Sequence, residues 1–136
     1  EITTLLQREL SMIPEVFGTL EDGTPEDPAI SKVSVHHFFK YVSGAPLVRP
    51  DWFFDVEKEG TGIVDVTTHL VDLIQWEAFP DQVLDTSDVK MNTAKLWPTS
   101  MTLAEFSQVT GKPAFSDFLQ KNVKNGNLEV LSNGEM

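Results

Sequence analysis

Apolar positions recur at helical spacing from the start of the chain. Leu5, Leu6, Leu10 and Ile13 fall near one stripe, which predicts a packing helix over residues 2–10 that Pro14 ends or kinks. Residues 21–28 collect Asp22, Gly23, Thr24, Pro25, Glu26 and Asp27 and read as a solvated loop. Over residues 30–42 the period changes to two. Val33, Val35, His37, Phe39 and Tyr41 share one face and Ser34, His36, Phe38 and Lys40 the other, predicting a strand with the first face inward. A second loop, 43–62, holds Pro46, Pro50 and three glycines yet interleaves Trp52, Phe53 and Phe54, so it should cover apolar surface.

The principal helix is expected over 63–78, closed by Pro80, followed by a strand over 89–96 that ends at Trp97-Pro98. Thr102-Leu-Ala-Glu105 fits a capping box for a short helix that Gly111 terminates, and 115–121 supports another helical turn. Residues 127–131 read as a strand running into Asn133-Gly134, a favoured hairpin turn, with no return strand before Met136. Glu1 opens directly into a helix, without an initiating Met or a basic-then-apolar leader. Both ends therefore read as cut, and residues 1–136 as a single domain fragment of a larger protein. Alternating helices and strands predict an α+β class: part of an open-faced, mainly antiparallel sheet with helices packed on one face, in an incomplete C-terminal domain.

Charge and residue usage narrow the function. Twenty-one acidic against 10 basic side chains give a net charge of -11 without a basic patch, which argues against a nucleic-acid partner. The absence of cysteine removes disulfides, Cys-ligated metals and a Cys nucleophile, and leaves the compartment open. No run approaches the ~20 apolar residues of a membrane span, because the richest stretch carries Asp65, His69 and Asp72. His36 and His37 are adjacent, so in a strand they face opposite sides and cannot share a metal; no metal site is expected. Gly60-Thr61-Gly62 is no dinucleotide fingerprint, since residues 56–59 make a poor buried strand and the third glycine is missing. No cofactor site is expected in this chain.

Candidate chemistry concentrates on the principal helix. At about 100° per residue, Asp65, His69, Asp72 and Trp76 fall within roughly 60° of one another. Ile63, Val66, Leu70, Leu73 and Ile74 cover the opposite arc and Val64 and Val71 a flank, so the helix should be largely buried. In one reading, Asp65 and His69 pair with each other or with backbone, or the stripe faces solvent. In the other, a carboxylate holds an imidazole at the wall of a cleft as a positioned general acid or base. Trp52, with Phe53 and Phe54, either stacks on a sugar ring or lids the core.

The segment Gly60-Thr-Gly62-Ile-Val-Asp65-Val-Thr-Thr-His69-Leu-Val-Asp72-Leu-Ile-Gln-Trp76, preceded by Trp52 and Asp55, resembles a known block. It is the Gly-Gly-Gly-x-x-x-Asp-x-x-x-His-x-x-Asp block in the substrate domain of the glucose-fructose oxidoreductase, inositol dehydrogenase and rhizopine-catabolism (Gfo/Idh/MocA) family. Thr61 stands where that block has its middle glycine. Leu6-Gln7-Arg8-Glu9-Leu10, Val35-His36-His37-Phe38-Phe39-Lys40-Tyr41 and Trp97-Pro98 look like the bacterial branch described as a putative oxidoreductase C-terminal domain. The resemblance implies a parent that binds NAD or NADP in an upstream Rossmann domain absent from this chain. Such a parent transfers hydride to or from a hydroxyl-bearing carbon of a sugar or polyol. His69 would then exchange the hydroxyl proton, and Asp65 would orient His69 or a substrate hydroxyl. Asp72, in a mainly structural part, Trp52 and Trp76 complete the substrate-binding set. The family's lysine, in a Glu-Lys-Pro motif, belongs to the cofactor domain, and Glu57-Lys58-Glu59-Gly60 is not that motif, so the chain alone should be inactive. A homo-oligomer is also implied. Two alternatives stand beside this reading: a non-catalytic interaction module built on open strand edges, and a carbohydrate-binding surface on Trp52, Trp76 and the acidic stripe.

Overall fold

The computed structural model describes residues 2–136. They divide into two compact units, one taking in the chain up to Ser34 with Thr68–Asn92, the other Val35–Thr67 with Thr93–Met136. In the first unit, α1 (Ile2–Ser11) is followed by α2 (Pro14–Phe17), with Pro14 at the first helical position, where its missing N–H costs nothing. α3 (Thr68–Ala78) packs against α1. The Lys32 ammonium pairs with the Glu77 carboxylate and ties the segment after the acidic loop to α3. No residue of α3 is buried, contrary to the sequence expectation of a largely buried helix. Within this unit α1 is the helix packed against it, and a single helical neighbour leaves much of the circumference uncovered.

The second unit holds the core. A two-residue ladder pairs β1 (Tyr41–Val42) with β2 (Ala45–Pro46), and a three-stranded antiparallel sheet has the order β3 (Lys95–Met101), β5 (Asn127–Glu135), β4 (Val123–Lys124). Phe54, Met101, Phe106, Val109, Leu119, Leu128 and Val130 are buried together. Phe54 ends a 3-10 turn, Asp51–Phe54, and meets Phe38, Phe53 and Phe106 edge-on with ring centroids 5.2, 5.4 and 5.6 Å away. Phe106 and Val109 come from α4 (Leu103–Thr110). Its Thr102–Glu105 capping box and left-handed Gly111 are the start and stop signals read from the sequence. The α+β class with open antiparallel sheets is the class observed, and among the described residues no helix is long and apolar enough to cross a membrane.

Three strand expectations are corrected. Residues 30–42 do not form a strand beyond Tyr41–Val42; Val33, Val35, His37, Phe39 and Tyr41 are exposed, and Phe38, from the other face, packs on the core. A period-two pattern makes a strand only where a neighbour accepts its hydrogen bonds, and the one ladder here is two residues long. The strand expected at 89–96 lies instead at Lys95–Met101 and passes through Pro98. The register shifts between Trp97 and Thr99, so the residue without an N–H sits at an irregularity of an edge strand. Asn133-Gly134 is no turn but lies inside β5. The two-residue turn is Asn125-Gly126 (φ 51° and 83°), both left-handed as a type I′ hairpin requires.

Close packing fixes the junction between β5 and the start of the principal helix. A Cβ on Gly62 would lie 2.1 Å from the Ser132 carbonyl oxygen, and one on Gly134 would lie 2.5 Å from Ile63 Cγ1. Gly62→Ala should therefore lower stability by about 1–3 kcal/mol through overpacking against backbone, read from the midpoint of urea unfolding. A second test concerns the tie between two 3-10 turns, where the Ser116 hydroxyl donates to Asp51 Oδ2 at 2.5 Å. That bond, helped by the Lys112 charge, holds the Asp51 carboxyl below the ordinary carboxylate value despite partial burial. A depressed folded pKa stabilises above the unfolded value and loses its contribution as pH falls through the folded one. Ser116→Ala should accordingly destabilise at about pH 6, and its effect should shrink as pH falls through the depressed folded value, read from urea unfolding midpoints over a descending pH series.

Candidate functional site

Asp65 owes its place to the glycine junction. After Gly62 the chain enters a five-residue π turn, Ile63–Thr67, which passes directly into α3. The Asp65 N–H donates to the Thr61 carbonyl at 2.9 Å, and the Thr67 hydroxyl reaches the Gly62 carbonyl at 3.4 Å. The Asp65 side chain is half-buried and lines a hollow of about 30 Å³ with Phe53, Glu59, Gly60, Gly62 and Ser132. That volume admits one or two waters, or a single hydroxyl group, and no ring.

Arg49 stacks on Phe53, one of the residues lining this hollow, without lining it itself. Its guanidinium lies 4.0 Å from the centroid of the Phe53 ring, and its Nε is buried without a hydrogen-bond partner. Burial lowers the Arg49 pKa from its ordinary value, while the charges of Asp65 and Glu59 oppose the change. Sequence reasoning missed Arg49. The available signal was a cation directly before Pro50 at the head of the aromatic loop, a segment read only as a lid.

The other expected site residues are distributed differently. In the first unit, Asp72 and Trp76 line one open groove of about 360 Å³ together with Thr4, Leu5 and Leu73. The Arg8 guanidinium covers the Trp76 ring at 4.9 Å, and the Arg8 Nε is likewise buried without a partner. His69 is exposed and lines neither this groove nor the hollow. In the second unit, Trp52 remains 45% exposed while its neighbours Phe53 and Phe54 turn to the core, so the loop both lids the core and leaves one ring outside. The uniform wheel behind the four-residue stripe does not survive the π turn, whose hydrogen-bonded ring is one residue longer than that of an α-helix. From Thr68 onward, His69, Asp72 and Trp76 keep their spacing on a regular helix.

The glycine turn does not fit a dinucleotide. Gly62 has no room on its Cα side because β5 occupies it, so the turn spends its glycine on chain packing and cannot receive a pyrophosphate there. Among the described residues, no group of three or more His, Cys, Asp or Glu side chains could hold a metal ion.

These features belong to a recognisable family. The model described as "Putative oxidoreductase C terminal domain" matches residues 6–136, and the chain belongs to that family. It is similar to a crystal structure of a putative oxidoreductase from Parabacteroides merdae, with 58% identity and a TM-score of 0.89 over 98% of this chain. The chain spans 31% of the length of that protein. No curated protein matches it.

The cover on Trp76 is testable by fluorescence. With Trp52 and Trp97 replaced by Phe, Arg8→Ala should red-shift Trp76 emission and speed its quenching by acrylamide, because the guanidinium no longer shields one ring face.

Proposed function

We propose that residues 1–136 are the substrate-side part of a two-domain NAD- or NADP-dependent oxidoreductase of the Gfo/Idh/MocA kind. Its substrate is a sugar or polyol oxidised or reduced at a hydroxyl-bearing carbon, and the nicotinamide is held by an upstream Rossmann domain. The observation that carries this reading is the placement of Asp65: a carboxylate on a π turn, lining a hollow of one-hydroxyl size, in a chain of an oxidoreductase C-terminal family. A carboxylate there accepts and orients a substrate hydroxyl. His69, exposed on the first turn of α3, is the imidazole suited to exchanging a substrate proton near neutral pH. The nicotinamide supplies the hydride chemistry, and this chain's part is the proton and the hydroxyls.

Asp72 and Trp76 serve binding. Their groove offers a carboxylate for hydroxyl donors, the Thr4 hydroxyl and an aromatic wall, and its volume falls within the range of small-molecule sites. Trp52 adds an exposed ring. Self-association is supported by β3, which lies at the sheet edge with Leu96 and Trp97 exposed.

The full-length protein should reduce NAD or NADP with a member of a sugar and polyol panel. His69→Ala and Asp65→Asn should each lower kcat/KM by about 10²–10⁴, with circular dichroism unchanged. Turnover that survives both substitutions intact would remove these two residues from the chemistry.

A further inference from the structure

We infer that Asn125 is a site of spontaneous modification: in the folded protein its side-chain amide is lost through attack by the Gly126 nitrogen, and the isoaspartyl product detaches β4. The dipeptide Asn-Gly occurs twice, at 125–126 and at 133–134. Glycine after asparagine opens this route because no Cβ shields the following backbone nitrogen. That nitrogen bonds to the asparagine Cγ and gives its proton to a base in the solvent. The Cγ–Nδ2 bond breaks, ammonia leaves, and a cyclic imide forms. Water then opens the imide at Cγ, giving aspartate, or at the main-chain carbonyl, giving isoaspartate. Nothing is oxidised or reduced, and water is the one co-reactant.

The fold separates the two dipeptides. Asn125 and Gly126 are exposed and form the turn itself, outside the ladder, whose last pair is Lys124 with Asn127. A Cβ on Gly126 would meet nothing within 4 Å, so the imide ring has room there. Asn133 and Gly134 instead stand in the β3–β5 ladder, opposite Trp97 and Leu96. The Asn133 amide donates to the Trp97 carbonyl at 3.3 Å and to Thr99 Oγ1 at 3.0 Å, which holds the would-be leaving group in place. Gly134 is closed in by Ile63, whose Cγ1 would lie 2.5 Å from an added Cβ. Closing the imide requires the backbone to rotate at the asparagine, and a paired strand must open locally before it can.

The two products differ in what they do to the sheet. Aspartate keeps the turn, since Asp-Gly suits the same type I′ geometry. Isoaspartate adds a carbon to the backbone inside a two-residue turn, and turn length sets the register of Val123 on Leu128 and Lys124 on Asn127. β4 is two residues long and lies at the sheet edge, with Val123 packed on the core, so it has little else to hold it. Its release leaves the adjoining edge of β5 unpaired.

Full-length protein held at mildly alkaline pH and followed by peptide mass spectrometry should gain the amide-to-acid mass difference at Asn125 at least about tenfold faster than at Asn133, which must wait for the ladder to open. In urea the two rates should converge to within about threefold. An intact Asn125 or equal rates in the folded protein would overturn the proposal, and so would an Asn133 that stays slow in urea, because the fold would then not be what protects it. The isoaspartyl fraction, separated by chromatography, should show faster amide hydrogen exchange over residues 123–128, whereas Asn125→Asp should match the native protein. Native-like exchange in the isoaspartyl fraction, or equal loosening in Asn125→Asp, would overturn the detachment of β4 by the longer backbone.

Discussion

Two chain segments approach each other so closely that each must present a glycine to the other. Gly62, at the mouth of the π turn, faces the Ser132 carbonyl of β5, and Gly134 of β5 faces Ile63 of the π turn. A methyl group at either position meets atoms at distances that packed carbons do not tolerate. This reciprocal contact sets where the π turn begins relative to β5, and with it the position of Asp65 three residues after Gly62. It also accounts for a glycine pattern that resembles a nucleotide turn without serving as one.

The site wall is continuous with the core. Phe53 packs edge-on against both Phe38 and Phe54, and Phe54 in turn contacts Phe106 of α4. Because Phe53 also lines the hollow and carries the Arg49 guanidinium, any repacking of the aromatic cluster reaches the Asp65 carboxylate through one side chain. A binding element built on such a cluster inherits its rigidity, which is how a short loop can hold a charge in place. Asp51, bonded to Ser116 beside Lys112, fastens the same loop from its other end.

The helix that carries the candidate chemistry serves two units. Its π turn belongs with the sheet and the aromatic core, whereas α3 belongs with α1. The hollow at Asp65 is small and walled largely by Phe38, Phe53 and Val130; the groove at Asp72 and Trp76 is wider, with an arginine laid over its indole.

Much of this was legible in the letters because it is local. The Thr102–Glu105 capping box, the left-handed Gly111, the opening helix and the turn from Gly62 into the principal helix follow from spacing and from what single residues can adopt. The block from Gly60 to Trp76 pointed to an oxidoreductase C-terminal domain, and the chain belongs to that family. What failed was non-local. Residues 30–42 alternate like a strand but find only a two-residue partner; Pro98 survives in β3 because a register shift excuses its missing N–H; and Asn133-Gly134 is drawn into β5 because Gly134 must admit Ile63. The π turn and the stacking of Arg49 on Phe53 likewise arise from packing between distant segments. Sequence alone fixed which residue types lie near one another along the chain, whereas only the tertiary contacts decided which backbone groups were paired, which faces were covered and which ring the Arg49 guanidinium stacks on.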